Sequence, residues 1–261
     1  MYSLKNQKVC LVTGARTGIG KSISELFAKN GYKVIMAGKN ENDCKMTATS
    51  LIDMGYEVSH IELDLSKINI IKDKVLEAKE IWGKLDLVVN NAATVEPIAM
   101  LGNLNQQELE KVCKINFLGP LFLINSCWDY LKETKGKVLN ILSGAAINPV
   151  EGWAAYCSTK SALHMINQQV HLEGMQYDIK SIGISPGMID TEMQKKIRDS
   201  GINRISKVKQ SDLIPKEAPA RFSLWCASDD ANDLSGQMIS LNDPSIRKKF
   251  QKWDAETNIR Q

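Results

Sequence analysis

Tyr156 and Lys160 lie four residues apart in a stretch with helical periodicity, so both side chains project from one face of a helix. A free tyrosine has a pKa of about 10, and a nearby ammonium group favours the phenolate and lowers that value. A tyrosine in this position can donate a proton to a ketone oxygen or accept one from an alcohol. Ser143, at the end of a predicted strand, can donate a hydrogen bond to the same oxygen. The alternative is an amphipathic helix with a solvated lysine.

Three glycines, Gly14, Gly18 and Gly20, join a predicted strand at residues 8–13 to a predicted helix at 18–29. Gly14 permits a tight turn, Gly18 lets the backbone approach a pyrophosphate, and Gly20 lets the helix pack on the strand. The helix N-terminus then offers free N–H groups to phosphates. The alternative is a plain strand-to-helix turn without a ligand. Because the glycine motif lies at the first strand-to-helix junction of the chain, a dinucleotide-binding turn is favoured.

The spacing Gly-x3-Gly-x-Gly resembles the glycine motif of the short-chain dehydrogenase/reductase family. Further family motifs follow in order: Asn90 to Ala93 (Asn-Asn-Ala-Ala, where the family carries Asn-Asn-Ala-Gly), the segment around Asn116, Ser143, Tyr-x3-Lys, and Pro-Gly-x3-Thr from Pro186. The resemblance covers roughly residues 8–243. It implies a catalytic set of Asn116, Ser143, Tyr156 and Lys160, in which the lysine also binds the nicotinamide ribose and the asparagine orders a proton-relay water.

The resemblance and the glycine turn together predict the cofactor contacts. They are Gly14, Arg16, Thr17, Gly18, Ile19, Gly20, Lys39, Asp64, Leu65, Asn91, Ala92, Tyr156, Lys160, Pro186, Gly187, Ile189 and Thr191. For two of them, a purely structural role is the alternative to cofactor binding. Asp64 can serve as a turn or helix-cap residue, and Thr191 as the N-cap of a helix over 192–200.

The end of the second predicted strand bears on the choice of nicotinamide. Gly38 occupies the place where NAD-preferring relatives carry Asp, Lys39 follows it, and Arg16 lies in the glycine loop. Two cations and no carboxylate at this corner favour a ribose 2′-phosphate over a 2′-hydroxyl. NADP(H) is therefore the expected cofactor.

The segments 143–146 and 149–157 resemble the sepiapterin reductase and benzil reductase branch, which reduces vicinal diketones. Sepiapterin reductases hold the pterin with an Asp where this chain has Ser240, so a benzil-reductase-like carbonyl reductase fits better. The predicted substrate contacts are Ser143, Trp153, Tyr156, Met188 and Met193, and simple packing is an equal alternative for the tryptophan and the methionines. A 3-oxoacyl thioester, steroid or polyol oxidoreductase and a non-catalytic NADP(H)-binding sensor remain the competing functions.

Short apolar runs at 8–13, 33–37, 58–63, 85–89, 138–142 and 179–185 alternate with helical patterns. This order predicts an α/β fold, a single Rossmann-type doubly wound domain with a mostly parallel sheet and helices on both faces. The domain is expected over 1–243, followed by a solvated basic tail at 244–261. Irregular stretches at 94–105 and 187–216 follow the fourth and sixth strands and are candidate substrate loops.

The composition of the chain limits the kinds of ligand and partner that it is expected to bind. The 261 residues carry 33 Lys plus Arg against 30 Asp plus Glu, and the net charge of +3 shows no basic face that indicates nucleic acid. No uncharged run is long enough to span a membrane. Six cysteines without a CxxC motif predict reduced thiols in the cytoplasm, and three histidines give no metal site. The family resemblance implies a homodimer or homotetramer built on helices such as 105–132 and 155–174.

Overall fold

The computed structural model describes residues 7–257 and 259–260, which form one seven-stranded sheet in which all neighbouring strands are parallel. The strands are β1 (Val9–Thr13), β2 (Lys33–Gly38), β3 (Val58–Glu62), β4 (Leu87–Asn90), β5 (Lys137–Ile141), β6 (Lys180–Ser185) and β7 (Met238–Ser240). Their spatial order is β3-β2-β1-β4-β5-β6-β7, so the winding reverses between β1 and β4. Ligands of such sheets bind outside the carboxyl ends of the strands at this point. The predicted doubly wound α/β domain is confirmed.

Helices cover both faces of the sheet. They are α1 (Gly18–Lys29), α2 (Lys45–Asp53), α3 (Ile71–Trp82), α4 (Gln106–Cys113), α5 (Gly119–Thr134), α6 (Ala154–Gly174), α7 (Glu192–Ser200), α8 (Glu217–Ala227) and α9 (Pro244–Glu256). A π-helical stretch, Lys114–Leu118, joins α4 to α5. Within the described part of the chain, no helix has the length and apolar character needed to cross a lipid bilayer.

Alternation along β1 divides the core into two layers. Cys10 and Val12 pack with α1, α2, α8 and α9 on one face, whereas Val9 and Leu11 pack with α3, α5 and α6 on the other. Every residue of β1 is buried. Strands buried on both faces read as continuous apolar runs, which is why this part of the sheet could be predicted.

Most element boundaries differ from the sequence expectations by one residue, and three differences are larger. Helix α2 begins at Lys45 rather than at 42, because residues 40–43 form a turn in which Asp43 N–H donates to the Asn40 carbonyl. The fourth strand begins at Leu87, although Leu85 is also buried. The seventh strand was not predicted, since β7 has three residues and only Ile239 is buried.

Within the segment 244–261, expected as a solvated tail, residues 244–256 form α9, which packs on the domain. Asp243 caps the helix by accepting the N–H groups of Ser245 and Ile246. On its inner side, Phe250 lies 5.4 Å from the ring of Phe222 on α8. The basic side chains of α9 are exposed, so their charge concealed an amphipathic pattern.

Buried amides cross the middle of the sheet. Asn90 Nδ2 on β4 donates to Asn140 Oδ1 on β5 at 2.9 Å, and Asn140 Nδ2 donates to Asn167 Oδ1 on α6 at 3.1 Å. Ser181 Oγ on β6 donates to the same Asn167 oxygen at 2.8 Å. These four side chains, at most 2% exposed, are called the amide ladder below. The ladder ties three strands to α6, the helix that carries Tyr156 and Lys160.

Candidate active site

A cleft of about 1050 Å³ lies at the carboxyl ends of the strands. Its walls come from the β1–α1 turn, the segments that follow β4, β5 and β6, and the first turns of α6 and α7. The structure brings together along this cleft all the residues predicted to contact cofactor or substrate, except Gly20 and Asn116.

The β1–α1 turn is clamped to the end of β4. Asn91 Nδ2 donates to the carbonyls of Thr13 at 2.9 Å and Gly14 at 3.2 Å, and Thr13 Oγ1 accepts the N–H groups of Asn91 and Ala92. Gly14 has φ +62°, and a Cβ there would lie 2.9 Å from the Ala92 Cα. A Cβ on Gly20 would lie 2.5 Å from the Gly14 carbonyl oxygen. Gly20 therefore allows α1 to pack closely against the turn, and it does not line the cleft.

The N-terminus of α1 opens into the cleft without a cap. Thr17 is the N-cap residue, but its side chain makes no capping hydrogen bond, and the first turn contains no acidic residue. Close to this turn, Thr191 occupies the N-cap position of α7, as the capping alternative predicts, but its side chain makes no capping hydrogen bond. A Cβ on Gly18 would lie 3.2 Å from Thr191 Cγ2. The free N–H groups of α1 suit a pyrophosphate.

The corner after β2 holds a carboxylate that the sequence analysis did not place there. Arg16 and Lys39 line this end of the cleft, and Asp43 lines it with them. The turn after β2 brings the Asp43 Cβ to within 2.5 Å of where a Cβ on Gly38 would stand. Asp43 Oδ2 accepts the Asn40 N–H at 3.1 Å, and its Oδ1 lies 3.9 Å from Arg16 Nε. The expectation of two cations without a carboxylate is thus wrong.

Asp64 is a turn residue whose side chain also lines the cleft. Its Oδ1 accepts the backbone N–H of Ser66 at 2.9 Å and the Ser66 hydroxyl at 2.7 Å. The structural alternative for Asp64 is therefore realised. Leu65 lies beside it in the cleft wall.

Tyr156 lies in the first turn of α6 and is 6% exposed. Burial raises the pKa of its phenol to about 12, although a hydrogen bond with Ser143 lowers it. From the sequence, the neighbouring ammonium is expected to lower this pKa. In the folded chain, burial outweighs the partners because loss of water penalises the phenolate. At neutral pH the group is a neutral phenol that can donate a proton.

Lys160 is 2% exposed, one helical turn beyond Tyr156. Its Nζ donates to the Ile141 carbonyl at 2.7 Å and lies 5.7 Å from the centre of the Tyr156 ring. Burial lowers the pKa of its ammonium to about 8. The hydrogen bond to the end of β5 fixes the direction in which the amine enters the cleft.

Asn116 lies behind the cleft rather than in its wall. It is in the π-helical stretch, where its Oδ1 accepts the Thr94 N–H at 2.9 Å and its Nδ2 donates to the Thr94 carbonyl at 2.7 Å. The same Nδ2 is 3.2 Å from the Thr159 hydroxyl on α6. Asn116 thereby joins the loop after β4 to the turn of α6 between Tyr156 and Lys160.

The far wall of the cleft is apolar. Trp153, Tyr156, Val95 and Ile197 pack in one cluster, and Met193 is packed against it. Met188, at 42% exposed, stands at the mouth. Thus the predicted substrate residues line the same cleft as the glycine turn.

Several lining residues were missed by sequence reasoning. They are Asp43, Val95, Asn148, Val150, Glu192, Lys196, Ile197 and Arg204. Most lie in or beside the loops predicted to hold substrate, but no pattern marks them singly. Asp43 is the fifth residue after β2, whereas Lys39 directly follows the strand, and the turn over residues 40–43 brings Asp43 back to the same corner. Lys196 pairs with Glu96 across the cleft mouth.

Residues 8–201 match the short chain dehydrogenase family. The chain belongs to the short-chain dehydrogenase/reductase family. It is 31% identical over 247 residues to an uncharacterized oxidoreductase of Schizosaccharomyces pombe, covering 95% of this chain and 96% of that protein. It is 26% identical over 256 residues to a benzil reductase ((S)-benzoin forming) of Saccharomyces cerevisiae, covering 92% and 97%.

Solved structures of other proteins have the same fold as this chain. A short-chain dehydrogenase/reductase from Saccharomyces cerevisiae superposes with a TM-score of 0.81 at 28% identity, covering 92% of this chain and 98% of that one. Actinorhodin polyketide ketoreductase has the same fold, with a TM-score of 0.83 at 22% identity over 90% and 95%. The chain is therefore an oxidoreductase of this family with its Rossmann-type fold.

The cleft fits the nicotinamide dinucleotide that the family implies. Its volume exceeds that of an ordinary small-molecule pocket, so cofactor and substrate can share it. Gly14 and Gly20 leave no room for side chains under the turn. The uncapped α1 N-terminus can bind the phosphates, and Lys160 can reach the nicotinamide ribose.

Proposed function

We propose that this chain is an NADPH-dependent reductase of ketones and vicinal diketones, with Tyr156 as general acid. The observation that carries the proposal is the buried phenol of Tyr156, next to Ser143 and one turn from Lys160, in the cleft that holds the glycine turn. When bound, the nicotinamide supplies the hydride.

The protein supplies the proton and holds the carbonyl. Tyr156, with a pKa raised to about 12, stays protonated at neutral pH and donates to the oxygen that gains negative charge. Ser143 donates a hydrogen bond to the same oxygen. The ammonium of Lys160 stabilises the phenolate left behind. The phenol is the form of Tyr156 that reduction of a carbonyl requires.

The preference for NADPH is supported by charge. Arg16 and Lys39 line the corner after β2, and packing of Asp43 leaves no space for an acidic side chain at position 38. Asp43 is held by the Asn40 N–H and faces Arg16, so it offsets part of the positive charge. The balance of one carboxylate against two cations still favours a 2′-phosphate.

The substrate class is supported by the apolar wall and by the benzil reductase relative. Trp153, Val95 and Ile197 form a rigid wall, and Met193 adds an adaptable side chain. Near the C-terminus, Ser240 is neutral, and Asp243 is engaged in capping α9. Both observations disfavour a pterin substrate. A 3-oxoacyl-[acyl-carrier-protein] reductase of Chlamydia muridarum is 30% identical over 246 residues, so thioesters belong in the test panel.

The experiment is reduction of a carbonyl panel by the wild type and by Tyr156→Phe. The panel contains benzil, a simple ketone and a 3-oxoacyl thioester, with consumption of NADPH and of NADH followed separately. In the variant, we expect NADPH to bind with its affinity little changed, while reduction falls by about a hundredfold or more, since the proton donor is lost. An unchanged rate would exclude Tyr156 as the acid. Exclusive turnover of the thioester would replace the proposed substrate class.

We also propose that copies of the chain associate and that the enzyme works in the cytoplasm. Exposed apolar side chains on α5 and α6, among them Phe122 at 43% and Leu172 at 63%, support association through these helices. All six cysteines are free thiols, which suits a reducing compartment.

A further inference from the structure

Trp153 holds an unpaired hydrogen-bond donor beside the proposed general acid. It is the residue before α6, three positions ahead of Tyr156, and is 5% exposed. The two rings meet edge to face, with centroids 5.5 Å apart. Among the described residues, the indole Nε1 has no hydrogen-bond partner, and it has no contact with solvent.

The cluster in which the Trp153 side chain packs is apolar apart from the Tyr156 hydroxyl. Trp153 packs in the cluster with Val95, Ala145 and Ile197, and Met193 lies against that cluster. An indole N–H can only donate, so it remains unpaired until an acceptor enters. A buried unpaired donor costs free energy and calls for an explanation. Because Trp153 lines the cleft, the acceptor can come from the substrate.

We propose that the Trp153 indole N–H binds the second oxygen of a vicinal dicarbonyl while Tyr156 and Ser143 hold the first. This inference rests on the proposed function and makes Trp153 a specificity-determining residue rather than a plain wall. Oxygens on adjacent carbons are the closest pair that a dicarbonyl can present, which suits donors on two rings in contact. Met193, which packs against this cluster, has a flexible side chain that can move aside.

A monoketone leaves the N–H unpaired in the free and bound enzyme alike, whereas a diketone pairs it on binding. Sites that hydrogen-bond a substrate group discriminate against analogues that lack the group. The pairing is made in the ground state as well as in the transition state. It therefore acts on binding and on kcat/KM together.

The test compares benzil with deoxybenzoin, in which a CH₂ group replaces one carbonyl, in the wild type and Trp153→Phe. Phenylalanine keeps an aromatic ring and removes the N–H. We expect the ratio of kcat/KM for benzil to that for deoxybenzoin to fall by about tenfold, the value of one hydrogen bond. Trp225→Phe, which changes a buried tryptophan on α8, is the matched control and should leave the ratio unchanged.

Two further readouts separate the possible failures. In the complexes with NADP⁺, where no reduction occurs, the Kd of benzil should rise about tenfold more than that of deoxybenzoin in Trp153→Phe. The melting temperature of this variant should fall by no more than that of Trp225→Phe, because both changes leave a space in a buried cluster and only Trp153→Phe also removes an unpaired donor. Equal losses for both ligands would overturn the inference. Selective binding without any turnover by the wild type would sustain it and overturn the proposed function instead.

Discussion

Burial moves the pKa values of Tyr156 and Lys160 in opposite directions, up to about 12 for the phenol and down to about 8 for the ammonium. Each shift favours the neutral form, as expected for groups removed from water. The phenol therefore keeps its proton through the physiological range. The charge of Lys160, by contrast, is lost as the pH rises through about 8.

The pH profile of kcat/KM for NADPH should report this loss, because that parameter reflects groups in the free enzyme. We expect kcat/KM to be constant below about pH 8 and to decline above it, because Lys160 then loses the positive charge that attracts the cofactor. In Lys160→Arg, whose guanidinium remains charged, the decline should disappear even if the rate is lower. In Lys137→Met, a change at the buried lysine whose pKa is also lowered to about 8, it should persist. A profile that stays level to pH 10 in the wild type would contradict this account.

Residue identities could be read from the sequence, but their electrostatic state could not. Tyr-x3-Lys spacing predicts that Tyr156 and Lys160 share a helix face, and they do. Spacing does not reveal how deeply the first turn of α6 is buried, and that burial sets the sign of the tyrosine shift. Likewise, the sequence motif singles out Asn116, whereas its place behind the cleft and its bonds to Thr94 and Thr159 depend on how the loop after β4 folds.

At the scale of elements, the β1–α1 turn and the β2–α2 connection meet at one corner, where Arg16, Lys39 and Asp43 line the cleft. Changing Arg16 and Lys39 together to glutamine should raise the Kd of NADPH by about tenfold or more, since charge-assisted bonds to phosphate are lost. The Kd of NADH should change little. Titration of the purified protein with each dinucleotide measures both values.

Two matched variants sharpen this prediction. Lys21→Gln removes a cation from α1 that pairs with Glu25 and does not line the cleft, and it should leave both affinities unchanged. Asp43→Asn removes the opposing carboxylate and should favour NADPH further. Equal weakening of NADPH and NADH in the double variant would refute binding of a 2′-phosphate at this corner.

Elements with strong periodicity or continuous burial were predictable, and short or charged ones were not. Strand β1 is buried throughout and was predicted within one residue, but β7 is too short to show a pattern. The π-helical stretch Lys114–Leu118 lies inside a segment that reads as one helix. In α9, four exposed basic residues hid the apolar side that carries Ile246 and Phe250.

At the scale of the whole molecule, exposed apolar residues on α5 and α6 bear on assembly. Light scattering should give a mass of two or four times 29.1 kDa. Phe122→Glu places a charge on this surface and should shift the mass toward one chain, because burying an unpaired carboxylate is costly. Met46→Glu, on α2 and 86% exposed, should leave the mass unchanged. A wild-type protein that is a single chain at micromolar concentration would argue against association.

The overall topology followed from the order of strands and helices, because parallel neighbours need crossover connections of one hand. The composition of the loops after β4 and β6 did not reveal the shape of the cleft. Lys196 and Glu96, a hundred residues apart, meet across its mouth, and no local pattern relates them. The Trp153 cluster likewise joins residues from three separate parts of the chain.

The amide ladder bears on how the strands find their neighbours. Apolar strands can slide by two residues and still present Val, Leu and Ile to both helical layers. Asn140 cannot slide in this way, because its buried amide would lose Asn90 and Asn167 as partners. Each buried amide left without a hydrogen-bond partner would lower the free energy of unfolding by about 1–3 kcal/mol. The ladder therefore favours one register of β4 against β5. It also fixes the position of α6 along these strands.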